Sequence, residues 1–176
     1  MIKKITTPLN KRELGKLNAG DEVYLSGIIY TARDQAHKRL TDKIPFNIKG
    51  AVIYYCGPTA KPKGKVIGSC GPTTSSRMDE FTPLLIKKGL AGMIGKGRRS
   101  KEVALVIKKH KAVYFLALAG CGALLSKYVK SNKLVAFADL GPEAIYKLEV
   151  KDFPLIVGID SKGNDIYKNG GKNGSF

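Results

Sequence analysis

Hydroxyl and cationic side chains are concentrated in one short stretch of this sequence, residues 65–97. Four consecutive hydroxyl residues, Thr73–Ser76, directly precede Arg77, and Lys96 follows between two glycines. A packed core has no use for this combination, whereas hydroxyls, backbone amides and a planar guanidinium hold carboxylate or phosphate oxygens well. A helix cap needs one hydroxyl rather than four, so the run predicts a binding site for a small anion. Two uses of such a site stay open, an enzyme site for an acidic metabolite and a nucleic-acid surface.

Lys96 stands between an apolar stretch, Gly92–Gly95, and Ser100, whose residue type favours a helix N-cap. In open α/β sheets, anions collect where the carboxyl end of a strand is followed by the N-terminus of a helix. The pattern is not a P-loop, because the four-residue spacer and the Lys–Ser/Thr pair of that motif are missing. Lys96 is therefore a candidate anion ligand, and an ordinary turn lysine is an equally good interpretation of the local pattern.

A second polar group, Arg33, Asp34 and His37, follows an alternating stretch that predicts a strand. The unperturbed pKa of a histidine lies near neutrality, so His37 could serve as a general acid or base. A lone helical histidine is nevertheless typical of a surface or capping position, and its residue type alone assigns His37 no role.

The three cysteines, Cys56, Cys70 and Cys121, are the only thiols in the sequence. They are separated by 14 and 51 residues, and these spacings match no compact iron–sulfur pattern. Buried small cysteines are the simpler interpretation, so we predict no metal site in this chain. An odd count without close pairing also indicates a reducing cytoplasm rather than a disulfide-bonded secreted protein.

The composition is strongly basic, with 31 lysines and arginines against 14 acidic residues and a formal charge of +17. Such a charge attracts nucleic acid, an acidic membrane, or an anionic substrate or partner. Aromatic residues do not alternate with the basic runs as they would in a stacking platform, which favours small anions over nucleic acid. Apolar runs fall well short of the roughly 20 residues that span a bilayer, and the N-terminus lacks the apolar segment of a secretory signal. We therefore predict neither a nucleic-acid nor a membrane partner.

Strands and helices alternate along the chain, which predicts an α/β fold that could position these residues. Asp21–Ala32 alternates and is rich in Val, Ile and Tyr, so it predicts a strand. Asp34 is then placed to cap a helix through about residue 42.

Short strand–helix–strand units in the second half of the chain predict parallel pairing with right-handed crossovers. The clearest unit joins strands at 92–95 and 112–119 through a helix at 100–110. Further strands are predicted at 51–55, 66–69, 134–140, 146–150 and 155–159, and further helices at 12–18, 83–89 and 123–128. Residues 169–176 are expected to form a flexible tail.

Four motifs carry a resemblance to a known family. In chain order they read TARDQAHKRL, GPTTSSRMD, GLAGMIGKG and FADLGPEAIYKLEVKDFPLIVGIDSKGNDIY. Together they resemble the β subunit of class I, iron–sulfur-dependent fumarate hydratase, which corresponds to the C-terminal part of single-chain class I fumarases. The β subunits of tartrate dehydratases are similar. The resemblance extends from about residue 20 to residue 168, and four motifs in order are far more specific than any one alone.

The resemblance implies a swivelling β/β/α domain, residues 1–168, with a mostly parallel central sheet. It implies that this domain closes over a separate α subunit, as an αβ heterodimer or its dimer in the cytoplasm. The implied activity is that of a tricarboxylic acid cycle hydro-lyase, the reversible hydration of fumarate to (S)-malate. The implied 4Fe–4S cluster is held by the α subunit, so we expect this chain alone to bind no cofactor and to be inactive.

The resemblance also implies roles for individual residues at a site for a four-carbon dicarboxylate. Thr73 corresponds to the proton-abstracting catalytic group, Arg33 and Arg77 to carboxylate ligands, and Lys96 to a further substrate cation. The supporting positions are His37, Thr74 and Asp79. Three questions stay open: whether Thr73 or Thr74 faces the substrate, whether that substrate is fumarate or tartrate, and whether the chain is instead a basic nucleic-acid-binding module without catalysis.

Overall fold

One seven-stranded sheet organises the chain, and the computed structural model describes it for residues 2–169. The strands are β1 Lys3–Thr6, β2 Glu22–Thr31, β3 Val52–Tyr54, β4 Gly92–Gly95, β5 Val113–Leu116, β6 Val129–Ala136 and β7 Ile145–Ile159. The helices are α1 Lys11–Leu14, α2 Asp34–Leu40, α3 Thr82–Lys87, α4 Lys101–His110, α5 Gly122–Leu125 and α6 Ile166–Asn169. Short 3₁₀ turns occupy Ser75–Met78, Ser126–Tyr128 and Ala138–Glu143. Of the predicted flexible tail at 169–176, positions 170–176 lie outside the described residues.

Five of the strands close into a barrel. β2, β3, β4 and β5 pair in parallel in that order, and the long β7 then pairs antiparallel with both β5 and β2. β1 pairs in parallel with β2, and β6 pairs antiparallel with β7. The predicted α/β class is confirmed, and so is the parallel pairing of β4 with β5 across α4. The next predicted unit does not pair in this way, because β6, after α5, pairs antiparallel with β7 instead of lying beside β5. The sheet as a whole is mixed rather than mostly parallel, because β7 runs against every neighbour it has.

The long strand β7 corrects the prediction of two separate strands at 146–150 and 155–159. The polar residues between them do not end the strand, because they form a bulge in its pairing with β2. Leu25 pairs with Phe153 and Gly27 pairs with Val150, so two residues of β7, Lys151 and Asp152, lie opposite the single Ser26 of β2. One of these, Asp152, adopts a left-handed φ of 51°. A single bent strand therefore contacts β2, β5 and β6.

Three other predicted elements differ in the structure. No strand forms at 66–69, where Ile67 enters the core from an irregular loop. The strand predicted at 134–140 runs instead from Val129 to Ala136 and ends before Phe137, whose φ of 59° is left-handed. The first helix is Lys11–Leu14, which begins one residue before the predicted range 12–18 and ends four residues before its end.

The elements that flank the candidate residues were predicted closely. β4 is Gly92–Gly95 as expected, and Ser100 caps α4 by accepting a hydrogen bond from the Val103 amide at 3.2 Å. α2 begins at Asp34, but its N-cap position is Arg33 and no side chain caps it. The prediction that Asp34 caps this helix is wrong, because its carboxylate binds a side chain from another loop instead.

Alternate residues of the strands divide the core into two buried clusters. In β3, Val52 and Tyr54 belong to the cluster inside the barrel, while Ile53 belongs to the cluster outside it. The outer cluster packs beneath α2, α3 and α4 through residues such as Leu40 and Ile107. This period of two follows from the pleat of each strand, whose successive side chains point to opposite faces.

The parallel strands β2–β5 bring their carboxyl ends to one edge of the barrel, and loops after these strands carry the candidate residues. This edge is where open α/β sheets hold ligands. Among residues 2–169, no helix is both long enough and apolar enough to cross a membrane.

Candidate active site

The residues that the sequence singled out meet at the carboxyl edge of the parallel strands. Arg33 follows β2 and Lys96 follows β4. The Thr73 amide donates a 2.6 Å hydrogen bond to the carbonyl of Tyr55, the first residue after β3. Arg77 reaches across to Asp34, the residue next to Arg33. These contacts bring Arg77 to the start of α2 and Thr73 beside β3, whereas a shared substrate site for these residues stays a prediction.

A short backbone bridge joins the hydroxyl run to Lys96. The Ser75 amide donates to the Lys96 carbonyl at 2.9 Å, and the Lys96 amide donates to the Thr73 carbonyl at 3.3 Å. These two bonds extend the parallel pairing by one step beyond β4, at Thr74. They fix the main chain on both sides of the candidate hydroxyls while Thr74 stays exposed and Thr73 half-buried.

Ser75 anchors this bridge to the interior of the protein. Its hydroxyl is fully buried and accepts a 2.8 Å hydrogen bond from the Tyr114 hydroxyl, which lies 2.9 Å from the Gly97 carbonyl. Gly95 makes room for it, because a Cβ at that position would lie 1.9 Å from the Ser75 oxygen. Ser75, the first residue of the 3₁₀ turn, thus serves packing, whereas its neighbours Thr74 and Ser76 face outward.

Arg99 forms a buried network beneath the site that the sequence analysis missed. Its Nε donates to an Asp79 oxygen at 2.6 Å, and its Nη2 donates to the Thr82 hydroxyl at 2.7 Å. Its guanidinium also lies over the rings of Tyr55 and Tyr114, at 5.3 and 5.0 Å from their centroids. Burial opposes the charge of Arg99, but these tyrosines and Asp79 raise its pKa above the ordinary value.

Asp79, predicted to support the site, lies beneath the hydroxyl run and is bound through both carboxylate oxygens. Its second oxygen accepts a 2.7 Å bond from the Ser100 amide at the start of α4. Both carboxylate oxygens are therefore bound within the protein, and Asp79 links the 3₁₀ turn that contains Arg77 to helix α4. Nothing in the sequence distinguishes the buried Arg99 from its exposed neighbour Arg98, so this network could not be predicted.

Arg77 is the more exposed of the two candidate carboxylate ligands. Its side chain keeps 48% of its accessible surface, and its Nη2 pairs with an Asp34 oxygen. The other Asp34 oxygen is buried and has no hydrogen-bond partner among residues 2–169. One internal acid therefore holds one nitrogen of a guanidinium that otherwise faces solvent.

Arg33 is held more firmly, by partners from several elements. Its Nε lies 3.1 Å from Glu143 Oε1, and both side chains are about three-quarters buried. The Arg33 carbonyl accepts hydrogen bonds from the amide and from the ring Nδ1 of His37, each at 2.9 Å. The sequence analysis missed Glu143, although it lies in the last of the four motifs.

His37 is fully buried, so the interpretation as a surface residue is wrong. Its ring packs edge-on against Tyr55 at 5.3 Å and near Phe81 at 6.1 Å. Burial, together with the nearby Arg99, lowers the pKa of His37 to about 4 against the raising effects of the Arg33 carbonyl and Asp34. A neutral imidazole that donates from Nδ1 to a carbonyl positions Arg33 rather than transferring protons.

The cysteines do not fit a resident iron–sulfur cluster. Cys56 and Cys70 are buried, and Cys121 is partly buried. Burial raises the pKa of Cys70 to about 11 and also raises the pKa of Cys56, so both favour the thiol over the thiolate that ligates metal. Within residues 2–169, no group of three or more histidines, cysteines or acids is placed to hold a metal ion.

The arrangement combines three cations, a free hydroxyl and an open surface. Arg33 and Arg77 each have one internal acidic partner, while Lys96 makes no ion pair in the described part of the chain. The hydroxyl of Thr73 likewise makes no hydrogen bond to residues 2–169. Guanidinium edges, an ammonium and a hydroxyl are suited to a small dianion, with the hydroxyl left to exchange a proton.

Comparison with known proteins agrees with the four motifs. A family model described as the fumarase C-terminus matches residues 2–170. A protein of Methanocaldococcus jannaschii, provisionally named L(+)-tartrate dehydratase subunit beta, is 43% identical over 172 residues, covering 91% of this chain and 88% of the relative. The L(+)-tartrate dehydratase subunit beta of Escherichia coli is 35% identical, covering 94% of this chain and 87% of its own length.

Fumarate hydratases match over the same region but are much longer. Fumarate hydratase 2 of Leishmania major is 38% identical over 170 residues, which cover 91% of this chain and only 30% of that protein. The chain therefore spans most of the tartrate dehydratase subunits and less than a third of the fumarate hydratase. Since the family model covers nearly every residue and these relatives exceed 30% identity, the chain belongs to the fumarase C-terminus family, whose named relatives are hydro-lyases.

Proposed function

We propose that this chain is the β subunit of a heteromeric class I fumarate hydratase, which hydrates fumarate reversibly to (S)-malate. The observation that carries the proposal is the meeting of Thr73, Lys96, Arg33 and Arg77 at one edge of the barrel, within a chain of the fumarase C-terminus family. The cations bind the two carboxylates of the substrate. The hydroxyl removes the carbon-bound proton of malate in the dehydration direction and returns it to carbon in the hydration direction.

The cations suit a four-carbon dianion for electrostatic and geometric reasons. A guanidinium stays charged when water is excluded, and its fork matches the two oxygens of a carboxylate. Arg33 and Arg77 can each offer such a fork, and Lys96 adds an ammonium that has no ion-pair partner within residues 2–169. Three cations against Asp34 and Glu143 leave an excess of one positive charge to attract the substrate.

The hydroxyl of Thr73 is the proposed base for the proton on the carbon next to a carboxylate. A threonine is a weak base at its ordinary pKa, so this role requires nearby positive charge once the site is closed. The backbone bonds that join Thr73 to Lys96 hold the two residues side by side. Thr74 is the alternative because it is adjacent and exposed, whereas Ser75 is excluded by its burial.

A partner is required by the openness of this edge. Thr74, Ser76 and Arg77 are exposed, and a hydration site needs water to be excluded around its charges. We assign the missing wall to an α subunit that closes over the edge as the domain swivels, in an αβ heterodimer or its dimer. The 4Fe–4S cluster belongs to that subunit in this proposal, since the cysteines of this chain are unsuited to hold it. The free thiols fit a reducing cytoplasm.

L-tartrate dehydration is the second candidate function. The specific observation in its favour is that the relatives matched over most of their own length carry the name tartrate dehydratase subunit beta. Tartrate is also a four-carbon diacid, so the same cations would bind its carboxylates. Its additional hydroxyl would be read by residues that the partner contributes.

The test is reconstitution of the complex. The chain is co-expressed with the neighbouring open reading frame, iron is restored under anaerobic conditions, and fumarate, malate and tartrate are assayed in parallel. Turnover of fumarate and malate alone supports the proposal, turnover of tartrate alone selects the second candidate, and an active isolated chain would contradict the need for a partner.

Within that complex, Thr73→Val tests the proposed base. Valine keeps the branched shape and removes the oxygen, so kcat is expected to fall about a hundredfold or more while KM changes little. Thr73→Ser should retain part of the activity because the oxygen survives. Thr74→Val is the matched control: if it is inactive while Thr73→Val is normal, the base is Thr74, and if both are active, the base is in the partner.

A further inference from the structure

The segment Phe137–Glu143 enters the function proposed above only through the charge of Glu143, yet the whole segment is attached to the helix beside the site. Arg39 on α2 donates two hydrogen bonds to Asp139, at 2.8 and 2.6 Å. The same guanidinium lies over the Phe137 ring, 5.2 Å from its centroid. These contacts attach the segment to α2, whose N-cap residue is Arg33.

The far end of the segment reaches the Arg33 side chain. Glu143 Oε1 lies 3.1 Å from Arg33 Nε, and the two side chains keep only 22% and 27% of their accessible surfaces. The Nε atom is itself buried, with no aligned hydrogen bond within residues 2–169, whereas Nη1 and Nη2 make neither a hydrogen bond nor an ion pair with these residues. Glu143 thus lies against the Nε edge of the Arg33 guanidinium and leaves the two terminal nitrogens, Nη1 and Nη2, available to a ligand.

The opposite wall of the Arg33 side chain is Gly57, in the loop after β3. A Cβ on Gly57 would lie 3.0 Å from both Cδ and Nη1 of Arg33, and 3.2 Å from the carbonyl oxygen of Pro142. The arginine therefore occupies a slot between Gly57 and the end of the segment. Beneath the slot, His37 binds the Arg33 carbonyl, so both the main chain and the side chain are constrained.

We propose that Glu143 is a positioning residue for Arg33, and that the segment Phe137–Glu143 is a clamp that delivers it. The clamp occupies the Nε edge of the guanidinium, so a substrate carboxylate binds end-on, through Nη1 and Nη2. The inference rests on the proposed function for the identity of that ligand, but the arrangement of Arg33 is a property of this chain alone.

Geometry separates this pair from an ordinary surface ion pair. Exposed pairs are screened by water and leave long side chains free to change rotamer. Here, burial limits that screening and the slot excludes other rotamers, so the acid selects which edge of the fork faces solvent. Preorganised ligands of this kind matter because a displacement of about 1 Å can cost a site up to about a hundredfold in rate.

The first experiment examines the isolated full-length chain by nitrogen–proton NMR of arginine Nε–Hε groups. Arg33→Lys identifies the Arg33 signal by its disappearance. In the wild type this signal should be dispersed and protected from solvent exchange at neutral pH, and in Glu143→Gln it should move toward the position of exposed arginines and broaden. An unchanged signal would overturn the proposal whatever the enzyme does.

The second experiment measures steady-state kinetics in the reconstituted complex. Glu143→Gln should raise KM about tenfold, and at most about a hundredfold, with kcat nearly unchanged, because the carboxylate contact is misplaced equally in the ground and transition states. Glu143→Asp should restore part of the loss. Gly57→Ala, which crowds the slot from the other side, should act in the same direction.

Asp139→Asn is the matched control, since it weakens the attachment of the same segment to α2 without touching Arg33. Its KM should stay within about twofold of the wild type, because an exposed pair contributes little. Equal effects of Asp139→Asn and Glu143→Gln would show general loosening and overturn a specific role for Glu143. An inactive complex combined with the expected NMR change would reject the proposed function and keep the clamp.

Discussion

The two candidate arginines occupy contrasting surroundings at the same edge of the barrel. Arg33 lies in a slot with His37, Gly57 and Glu143 around it and keeps 27% of its side-chain surface. Arg77 keeps 48% of its surface and has one ion-pair partner, Asp34. What is rigid on the Arg77 side is the main chain below it, which is bound to β4 and to the buried Arg99 network.

This difference shows two ways of preparing a cation for an anionic ligand. On the Arg33 side, the protein fixes the side chain and thereby chooses the edge that a carboxylate meets. On the Arg77 side, it fixes the backbone and leaves the guanidinium half-exposed, with room to adjust when a partner closes over it. Loss of rotamer freedom has already occurred for Arg33 in the free chain, whereas for Arg77 it would occur on binding.

The largest effect should come from the network that supports the Arg77 side. Arg99→Met leaves Asp79 without its cation, so the free energy of unfolding should fall by about 3–5 kcal/mol, the cost of breaking a buried ion pair. Urea unfolding of the isolated chain measures it. Arg98→Gln, at the exposed neighbour, should stay within about 0.5 kcal/mol of the wild type. If Arg99→Met leaves the free energy of unfolding unchanged, the loop that carries Arg77 does not depend on this network.

A smaller effect should follow from His37, which supports the Arg33 side. Its pKa is about 4 in the folded chain against an ordinary 6.5, so between these values the unfolded chain binds a proton that the folded chain does not. The free energy of unfolding should therefore decrease as pH falls from 6.5 to 4, by about 3 kcal/mol. Below pH 4 the folded chain is protonated too, and this contribution stops changing.

The measurement compares urea unfolding of the wild type and of His37→Gln across this pH range. Carboxylates titrate in both proteins, so the difference between the two curves isolates the histidine. The groups that act on its charge are Arg99, which disfavours it, and Asp34, which favours it. If the free energies of unfolding of the two proteins change in parallel with pH, His37 is not a buried neutral histidine. A role for His37 in holding the Arg33 main chain in place would then be contradicted as well.

The smallest effect, and the most direct test of the comparison, is the difference between Arg33→Lys and Arg77→Lys. Lysine keeps the charge and loses the fork, so each should cost roughly 2–4 kcal/mol in kcat/KM in the reconstituted complex. The kcat/KM of Arg33→Lys should be about tenfold lower than that of Arg77→Lys, because a lysine at position 33 cannot both fill the slot and bind a carboxylate. Equal losses would mean that the slot adds nothing, and an unchanged variant would remove its arginine from the site.

Local pattern was enough to predict the elements that carry the site. Alternating apolar residues located β2, the glycine-bounded apolar stretch located β4, and Ser100 located the start of α4. The dense hydroxyls before Arg77 and the lysine at a strand end also predicted an anion site there. These signals are readable because each depends on residues within a few positions of one another.

Pairings between distant segments were not predictable in the same way. Nothing near Glu143 in the sequence points to Arg33, and nothing near Arg99 indicates that it is buried against Asp79. His37 was interpreted as a surface residue because its burial depends on Tyr55 and Phe81, which arrive from other parts of the chain. The polar break within β7 was misread as a gap between strands because a bulge is defined only by its pairing partner.

The strands and helices that flank the candidate residues, and the family to which the four motifs pointed, could be predicted from residues close together along the chain. The burial of particular charges, the acid that pairs with each arginine and the edge of each guanidinium that stays open depend on contacts between distant segments. The physical reason is the closure of the barrel: β7 pairs with both β2 and β5, which brings segments that are distant along the chain to the same edge. Burial and ion pairing follow from that closure, because they depend on segments that are distant along the chain.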